Sequence, residues 1–234
     1  MTAYISSAPR LPEDHGAAAN AAEGLRNDIL NGTLKPGDRL RFEGLRAGTG
    51  ASMGALREAL TRLETEGLVR SDAGRGFAVA PASMRDLEDI ERLRLNLEIK
   101  ALRSSLEQGD DHWEAALISA YHLVARIEER AEEDRSLLDN IWDARHRDFH
   151  FALLSACDSP WTLHFCRLLF DQCQRYQRLT TTLDHSPLLK RNEHQALLEA
   201  ALDRRTDEAC DLLAHHIRGT RHALRANPGP GIEF

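Results

Sequence analysis

From Ser83 to Ala226 one stretch of helical spacing follows another, and no alternating run is long enough for a strand. Such a stretch can bury its apolar faces only helix against helix, in a bundle. Its breaks fall at Gly109-Asp110-Asp111, at Asp158-Ser159-Pro160 and across Asp184–Pro187, with a polar junction at Arg204–Asp207. The preceding part mixes helix and strand signals. Pro81 and the capping candidate Ser83 mark the boundary between the two parts. The spacing therefore predicts a flexible arm over 1–16, a mixed domain over 17–82, an all-helical domain over 83–226 and a flexible tail over 227–234.

The 234 residues suffice for two domains, each with a core, and 42% hydrophobic with 29% charged residues is the balance of a globular protein. No apolar run approaches the roughly 18–20 residues of a membrane span. The opening MTAYISSAPRLPEDHG lacks the basic start and apolar core of a secretory signal. A cytoplasmic location with no membrane partner is expected. Cys157, Cys166, Cys173 and Cys210 form no CxxC pair and stand beside apolar residues, so buried free thiols are expected rather than disulfides or thiolate metal ligands. Charge divides unevenly. Residues 1–82 carry ten basic and ten acidic side chains, leaving the whole net charge of −7 to the helical part. That acidic total argues against a protein coated in nucleic acid and leaves room for a small basic surface in the first part.

In that first part Ala18, Ala21, Ala22, Leu25 and Ile29 share helical spacing over 17–31, and Gly32 ends the helix. Lys35-Pro36-Gly37-Asp38 reads as a turn, Arg39-Leu40-Arg41 as an extended piece and 43–50 as a short helix weakened by Gly44, Gly48 and Gly50. Ser52 is a natural N-cap for the next helix, whose stripe of Ala55, Leu56, Ala59, Leu60 and Leu63 ends at Gly67. Leu68–Arg70 and Phe77–Val79, joined by Asp72-Ala73-Gly74-Arg75-Gly76, read as a β-hairpin. Helix, short helix, capped helix and hairpin outline a winged helix-turn-helix, with the capped helix entering the major groove of DNA. Away from its stripe that helix carries Arg57, Thr61 and Arg62. Arginine there suits guanine O6/N7 or a phosphate, although any single such arginine is more often a solvated surface residue.

The blocks ILNGTLKPGDRL, LREALTRLETEGLV and GRGFAV occur in this order and resemble the DNA-binding domain of the GntR family of bacterial transcription regulators over about residues 20–80. The resemblance implies that Arg57 binds DNA, that Ser52 starts the reading helix and that Gly74, Arg75 and Gly76 form the wing tip. One departure stands out. Relatives carry a basic residue after the capping serine, whereas this chain has Met53-Gly54-Ala55, so Arg39, Arg41 and Arg46 are expected to supply phosphate contacts.

The helical part holds most of the eleven histidines. On a helical wheel Trp142, His146, Phe149, His150, Leu153 and Cys157 fall within an arc of about 100°. His146 and His150 are thus neighbours on a buried face. His194 shares a stripe with Leu197, Leu198 and Ala201, and His216 another with Ala209, Leu212, Leu213 and Thr220, while His215 sits to the side. For each ring alone a satisfied core histidine is the commoner outcome. Four on the inward faces of three helices favour a shared metal.

Residues 83–225 also resemble the helical ligand-binding domain called FCD, found in the FadR-type branch of the same family. The resemblance rests on Arg94-Leu95-Asn96-Leu97-Glu98, Phe149-His150, Glu193-His194 and His215-His216. It implies a divalent metal held by an Asp and a His four residues apart, plus two further histidines. His150, His194 and His216 match the histidine positions, and His146 stands where the Asp would be. Two outcomes stand open for that exchange: an all-histidine site, which favours zinc or nickel over harder ions, or loss of metal binding. WDARHRDFH further resembles a sub-branch whose effectors include small dicarboxylates. By the same resemblance Arg94 is the candidate anchor for an organic acid, since a guanidinium clasps a carboxylate in two bonds; its other reading is an intrahelical pair with Glu98. Arg145 and Arg175 are further candidates. Tyr121, Tyr176 and Trp142 read as core.

Together these features predict a mainly α protein, an N-terminal winged helix-turn-helix with a small β-hairpin wing followed by an all-α bundle. The expected function is transcription regulation, as a repressor: a homodimer on double-stranded operator DNA whose affinity a small carboxylate controls from near a divalent metal. Two alternatives stand beside it, a metal-dependent helical-bundle enzyme and a DNA-binding protein with an inert helical dimerisation domain. The chain has neither an HExxH motif nor the Glu-x-x-His pairs of a di-iron bundle, and an enzyme would leave the first part unexplained.

Overall fold

The computed structural model describes residues 16–72, 74–131, 140–179, 187–226 and 232–233. The expected arm up to residue 15, and the tail outside 232–233, lie outside the described residues. The chain divides between Pro81 and Ala82 into two compact units.

In the first unit α1 (Ala17–Leu30), α2 (Phe42–Thr49) and α3 (Met53–Thr65) accompany the strands β1 (Arg39–Leu40), β2 (Val69–Asp72) and β3 (Gly76–Val79). α1 packs along α3. Each element has a local cause. Ser52 caps α3, its hydroxyl oxygen accepting from the Ala55 amide at 3.2 Å. Gly50 closes α2 in the left-handed region at φ 67°, a backbone state glycine adopts without cost. Lys35–Asp38 is a turn closed by the Asp38 amide donating to the Lys35 carbonyl at 3.0 Å. β2 and β3 pair antiparallel with Val69 opposite Val79 and Asp72 opposite Gly76. The extended piece at Arg39 does more than link helices, because β1 pairs with β3 and completes a three-stranded sheet in the order β1-β3-β2. Leu25, Ile29, Leu40, Leu60, Leu63, Leu68, Val69 and Val79 are all buried in one core beneath that sheet. The hydrophobic effect makes this cluster the main stabilising term of the small unit.

The second unit begins with β4 (Ala82–Ser83) and continues as α4 (Met84–Gln108), α5 (Asp111–Ala131), α6 (Asn140–Leu154), α7 (Pro160–Arg178), α8 (Pro187–Leu202) and α9 (Thr206–Ala226). α4 packs on α6, α7 and α9, α5 on α6 and α8, and α8 on α9. Ser83 caps α4 through the Asp86 amide, and Ser159 caps α7 with Pro160 in its first turn. Leu102, Leu117, Phe149, Leu153, Leu197, Leu213 and Ile217 belong to the bundle core, all nearly inaccessible. None of the described helices is long and apolar enough to cross a membrane. The four cysteines are buried and free. Burial pushes the Cys166 thiol up to about 12, which leaves it inert at neutral pH.

One finding differs from the sequence reading. A short strand β5 (Ile232–Glu233) lies parallel to β4, where only a flexible tail was expected. Ile232 packs against the cluster of Met84, Leu87, Tyr176 and Leu224, so tertiary packing holds a strand too short to show a period. The corner between α8 and α9 falls at the expected polar junction, and there Arg204 adopts φ 55°. Its guanidinium donates to the carbonyls of Leu106 and Gly109 and lies 4.6 Å from the centre of the Trp113 ring. Those contacts offset the cost of a left-handed conformation at a non-glycine residue.

Candidate metal centre and DNA-binding surface

The surface of α3 opposite its buried Leu56, Ala59, Leu60 and Leu63 presents Gly54, Arg57, Glu58, Thr61, Arg62 and Thr65 side by side. Arg57 is exposed, with its guanidinium carbon 5.7 Å from the centre of the Phe42 ring. Thr61 is exposed as well, its hydroxyl donating to the Arg57 carbonyl at 2.9 Å. Arg62 is half-buried and leans toward Glu66 at 3.6 Å, away from a role as an unpaired cation. Arg39 on β1, Arg41 before α2 and Arg46 within α2 are exposed, and Ser52 is held by its capping bond. At the β2–β3 turn Gly74 and Gly76 have φ of 76° and 85°, which side-chain-bearing residues rarely adopt. The Arg75 amide donates to the Asp72 carbonyl at 2.8 Å and its side chain is exposed.

In the bundle three helices aim imidazoles at one point. His146 and His150 stand one turn apart on α6, His194 comes from α8 and His216 from α9, and none is more than 4% exposed. One ligand-capable nitrogen from each of the four lies within 4.8 Å of the others. The Nε2 atoms of His146 and His150 are 3.1 Å apart, those of His150 and His216 3.1 Å, and those of His146 and His216 3.4 Å. Zinc held tetrahedrally at about 2.0–2.1 Å separates its ligand atoms by about 3.3–3.4 Å, so these spacings suit a small cation. The tautomers agree. Glu193 Oε2 accepts from Nδ1 of His216 at 2.7 Å, which leaves the His216 Nε2 as a lone pair facing its neighbours. Glu128 Oε1 lies 3.0 Å from Nδ1 of His194, and the Nε2 of His194 is buried with no hydrogen-bond partner. A buried, unpaired ring nitrogen beside three convergent ones is costly unless a cation receives it.

Around the cluster Trp142 stacks on His146 at 4.5 Å and 11°, and its indole N–H donates to Glu128 Oε1 at 3.1 Å. Phe170 touches both His146 and His150, with ring centres 5.7 and 5.4 Å away, and Arg94 lies 5.0 Å from the same ring. Arg94 is therefore one aromatic ring from the histidines. It is also clasped by Glu98, Nε to Oε1 at 2.5 Å and Nη2 to Oε2 at 3.2 Å, both side chains being buried. Burial is the largest single influence and works against its charge, yet Glu98 and Cys173 together hold Arg94 more firmly protonated than usual. Arg175 is buried, donates to Gln172 Oε1 at 3.0 Å and has its positive charge weakened by burial. Arg145 is partly exposed and pairs with Asp148 at 3.2 Å on its own helix.

Glu128 and Glu193 were absent from the sequence candidates. Glu128 did carry a signal: it falls on the same face of its helix as Leu117, Tyr121 and Val124, where a carboxylate needs a reason. Glu193 is adjacent to a candidate ligand, but its bond to His216 crosses between helices and leaves no local pattern.

With these arrangements described, comparison with known proteins gives a consistent picture. The FCD domain profile matches residues 89–219, and that of the bacterial regulatory proteins of the gntR family matches residues 17–79. The HTH-type transcriptional regulator BphR of Paraburkholderia xenovorans is 41% identical over 201 residues, covering 86% of this chain and 82% of that protein. The HTH-type transcriptional repressor GlaR of Escherichia coli is 34% identical over 197 residues, covering 82% and 89%. Among solved structures the fold is similar to that of E. coli McbR/YncC, with a TM-score of 0.74 at 22% identity over 90% of this chain and 98% of that one.

Proposed function

This chain belongs to the GntR family of bacterial regulatory proteins, with a C-terminal FCD domain, and from that premise we propose that it is a repressor whose hold on its operator is set by a small organic acid bound in the helical unit beside a divalent metal. It is a DNA-binding transcription regulator and not an enzyme. Repression is the reading that the likeness to GlaR supports.

For DNA, α3 reads bases in the major groove through Arg57 and Thr61, while Arg39, Arg41, Arg46 and Arg75 hold phosphates. The wing glycines Gly74 and Gly76 let the backbone approach the duplex, and Ser52 fixes the start of the reading helix. Arg62 contributes less, because Glu66 already occupies it. The protein binds as a homodimer, since one short helix reads too few bases and paired half-sites supply the rest.

The observation that carries the metal reading is the buried Nε2 of His194, without a partner, beside the Nε2 atoms of His146, His150 and His216. Four neutral imidazoles suit zinc or nickel better than calcium or magnesium, which prefer oxygen. Bound there, the metal would act as a Lewis acid that takes a carboxylate oxygen of the effector. Of the three arginines Arg94 is the best placed to hold the other end, being one ring from the histidines. For that it must share its guanidinium between Glu98 and the ligand, so the effector is weighed against an internal carboxylate.

Elemental analysis of the purified protein, followed by a melting-shift screen of two- to six-carbon mono- and dicarboxylic acids and operator binding by anisotropy at fixed salt, tests this reading. About one zinc or nickel per chain is expected, with one acid that raises the melting temperature and weakens operator binding together. Absence of metal and of any acid response would leave a DNA-binding protein with an inert helical unit.

A further inference from the structure

A ligand set of four neutral imidazoles leaves the whole double charge of a divalent cation uncompensated, in a site whose rings are at most 4% exposed. Desolvated charge of that size needs a counter-charge nearby. Two carboxylates stand one imidazole away from the centre. Glu128 is wholly buried, and its Oε1 receives both the Trp142 indole N–H at 3.1 Å and Nδ1 of His194 at 3.0 Å. Among the described residues its Oε2 has no hydrogen-bond partner, and neither group bonded to its Oε1 is a lysine or an arginine. Glu193 is 35% exposed and bonds Nδ1 of His216 at 2.7 Å. A buried carboxylate that no lysine or arginine of the described residues bonds is as unusual as a buried imidazole with no partner for its inner nitrogen, and one cation between the rings resolves both.

Resting on the metal reading above, we propose that Glu128 and Glu193 supply from behind the imidazoles the negative charge that the ligand set lacks, with Glu128 the principal positioning residue of the centre. Hydrogen bonding to a carboxylate keeps the proton on Nδ1, turns the Nε2 lone pair inward and makes the ring a stronger donor to metal. Glu128 does this for His194 directly. It also anchors Trp142, whose indole lies flat on His146 at 4.5 Å, so one carboxylate orients two of the four rings from two helices. Its charge acts through a low-dielectric interior, whereas water screens that of Glu193, so the two are unequal.

The test compares wild type, Glu128→Gln and Glu193→Gln in the full chain. Metal is removed with chelator, and the zinc dissociation constant is then measured by competition with a chromophoric chelator, alongside the melting temperature of each metal-free protein. Glutamine keeps the shape and an acceptor oxygen but not the charge. Glu128→Gln is expected to weaken zinc binding about 10- to 100-fold while the metal-free melting temperature stays level or rises, since an uncompensated buried charge is gone. Glu193→Gln is expected to weaken zinc less. Zinc affinity in Glu128→Gln equal to wild type, or lowered only in step with a lower metal-free melting temperature, overturns the proposal. If Glu128→Gln does not fold, Glu193→Gln decides, because its site is partly exposed: wild-type zinc affinity there overturns the charge argument. A wild type with no affinity for zinc overturns the metal reading itself, and is told apart by failing before any variant is compared.

Discussion

Arg57 and Arg94 are both arginines on helices, and their surroundings give them opposite work. Arg57 is exposed on α3 with its guanidinium carbon 5.7 Å from the centre of the Phe42 ring, available to an anion or a base. Arg57→Ala is expected to cost about 1–3 kcal/mol of operator binding if the contact is to a base, with the melting temperature unchanged, as read by anisotropy at fixed salt. Unchanged operator affinity removes Arg57 from the reading surface. Arg94 is buried with Glu98, so its replacement acts first on the fold. An exposed pair at this spacing on a helix is worth a few tenths of a kcal/mol. Stranding a buried Glu98 is different: Arg94→Ala is expected to destabilise the helical unit by about 3–5 kcal/mol in denaturant unfolding, and adding Glu98→Ala is expected to recover part of it. The acid-response test of Arg94 therefore belongs in the double variant, where no unpaired charge remains. A single variant as stable as wild type contradicts the buried pairing.

At the level of elements, caps and corners decide where helices begin and how they meet. Ser52 starts α3, and Ser52→Ala is expected to cost about 1 kcal/mol of stability in the first unit. Operator binding is expected to weaken with it, because the first turn of α3 is the part proposed to face the bases. The corner after α4 is tighter. A Cβ on Gly109 would stand 2.5 Å from Cε3 of Trp113 and 2.7 Å from the Ser105 carbonyl oxygen. Trp113 is held in turn by its indole bond to the Ala152 carbonyl at 2.9 Å and by Arg204 over its ring. Gly109→Ala is thus expected to destabilise the helical unit by about 1–3 kcal/mol, visible as a lower denaturant midpoint, with the DNA-binding unit unaffected. An unchanged midpoint would show that this corner yields at no cost.

For the whole molecule, ligand binding and stability are linked. A metal that binds the folded helical unit and not the unfolded chain stabilises it by RT ln(1 + [L]/Kd), about 2.7 kcal/mol at a hundredfold excess over Kd. Chelation is expected to lower the melting transition of the second unit, and zinc or nickel to restore it, while calcium and magnesium do not. An organic acid that changes operator affinity by some factor must have its own affinity changed by operator DNA through the same factor. Titrating the acid with and without operator checks that equality, and an acid that shifts melting without any such coupling is not the effector.

Local order was legible in the residues. Helical stripes, the caps at Ser52 and Ser83, the glycines of the β2–β3 turn and the inward direction of His146, His150, His194 and His216 each depend on neighbours within a turn or two. Such features therefore leave a period or a spacing in the chain. Four properties left none. The 3.1–3.4 Å approach of three Nε2 atoms, the reach of Glu128 to both Trp142 and His194, the placing of Phe170 between Arg94 and the histidines, and the pairing of β5 with β4 all join segments far apart in the chain. A helical stripe states which side of a helix turns inward, and nothing in it states which other helix will be there. Packing made that choice. By bringing α5, α6, α8 and α9 around one centre, it drew four separate buried histidines into a single cluster and set a buried carboxylate from a fourth helix against it.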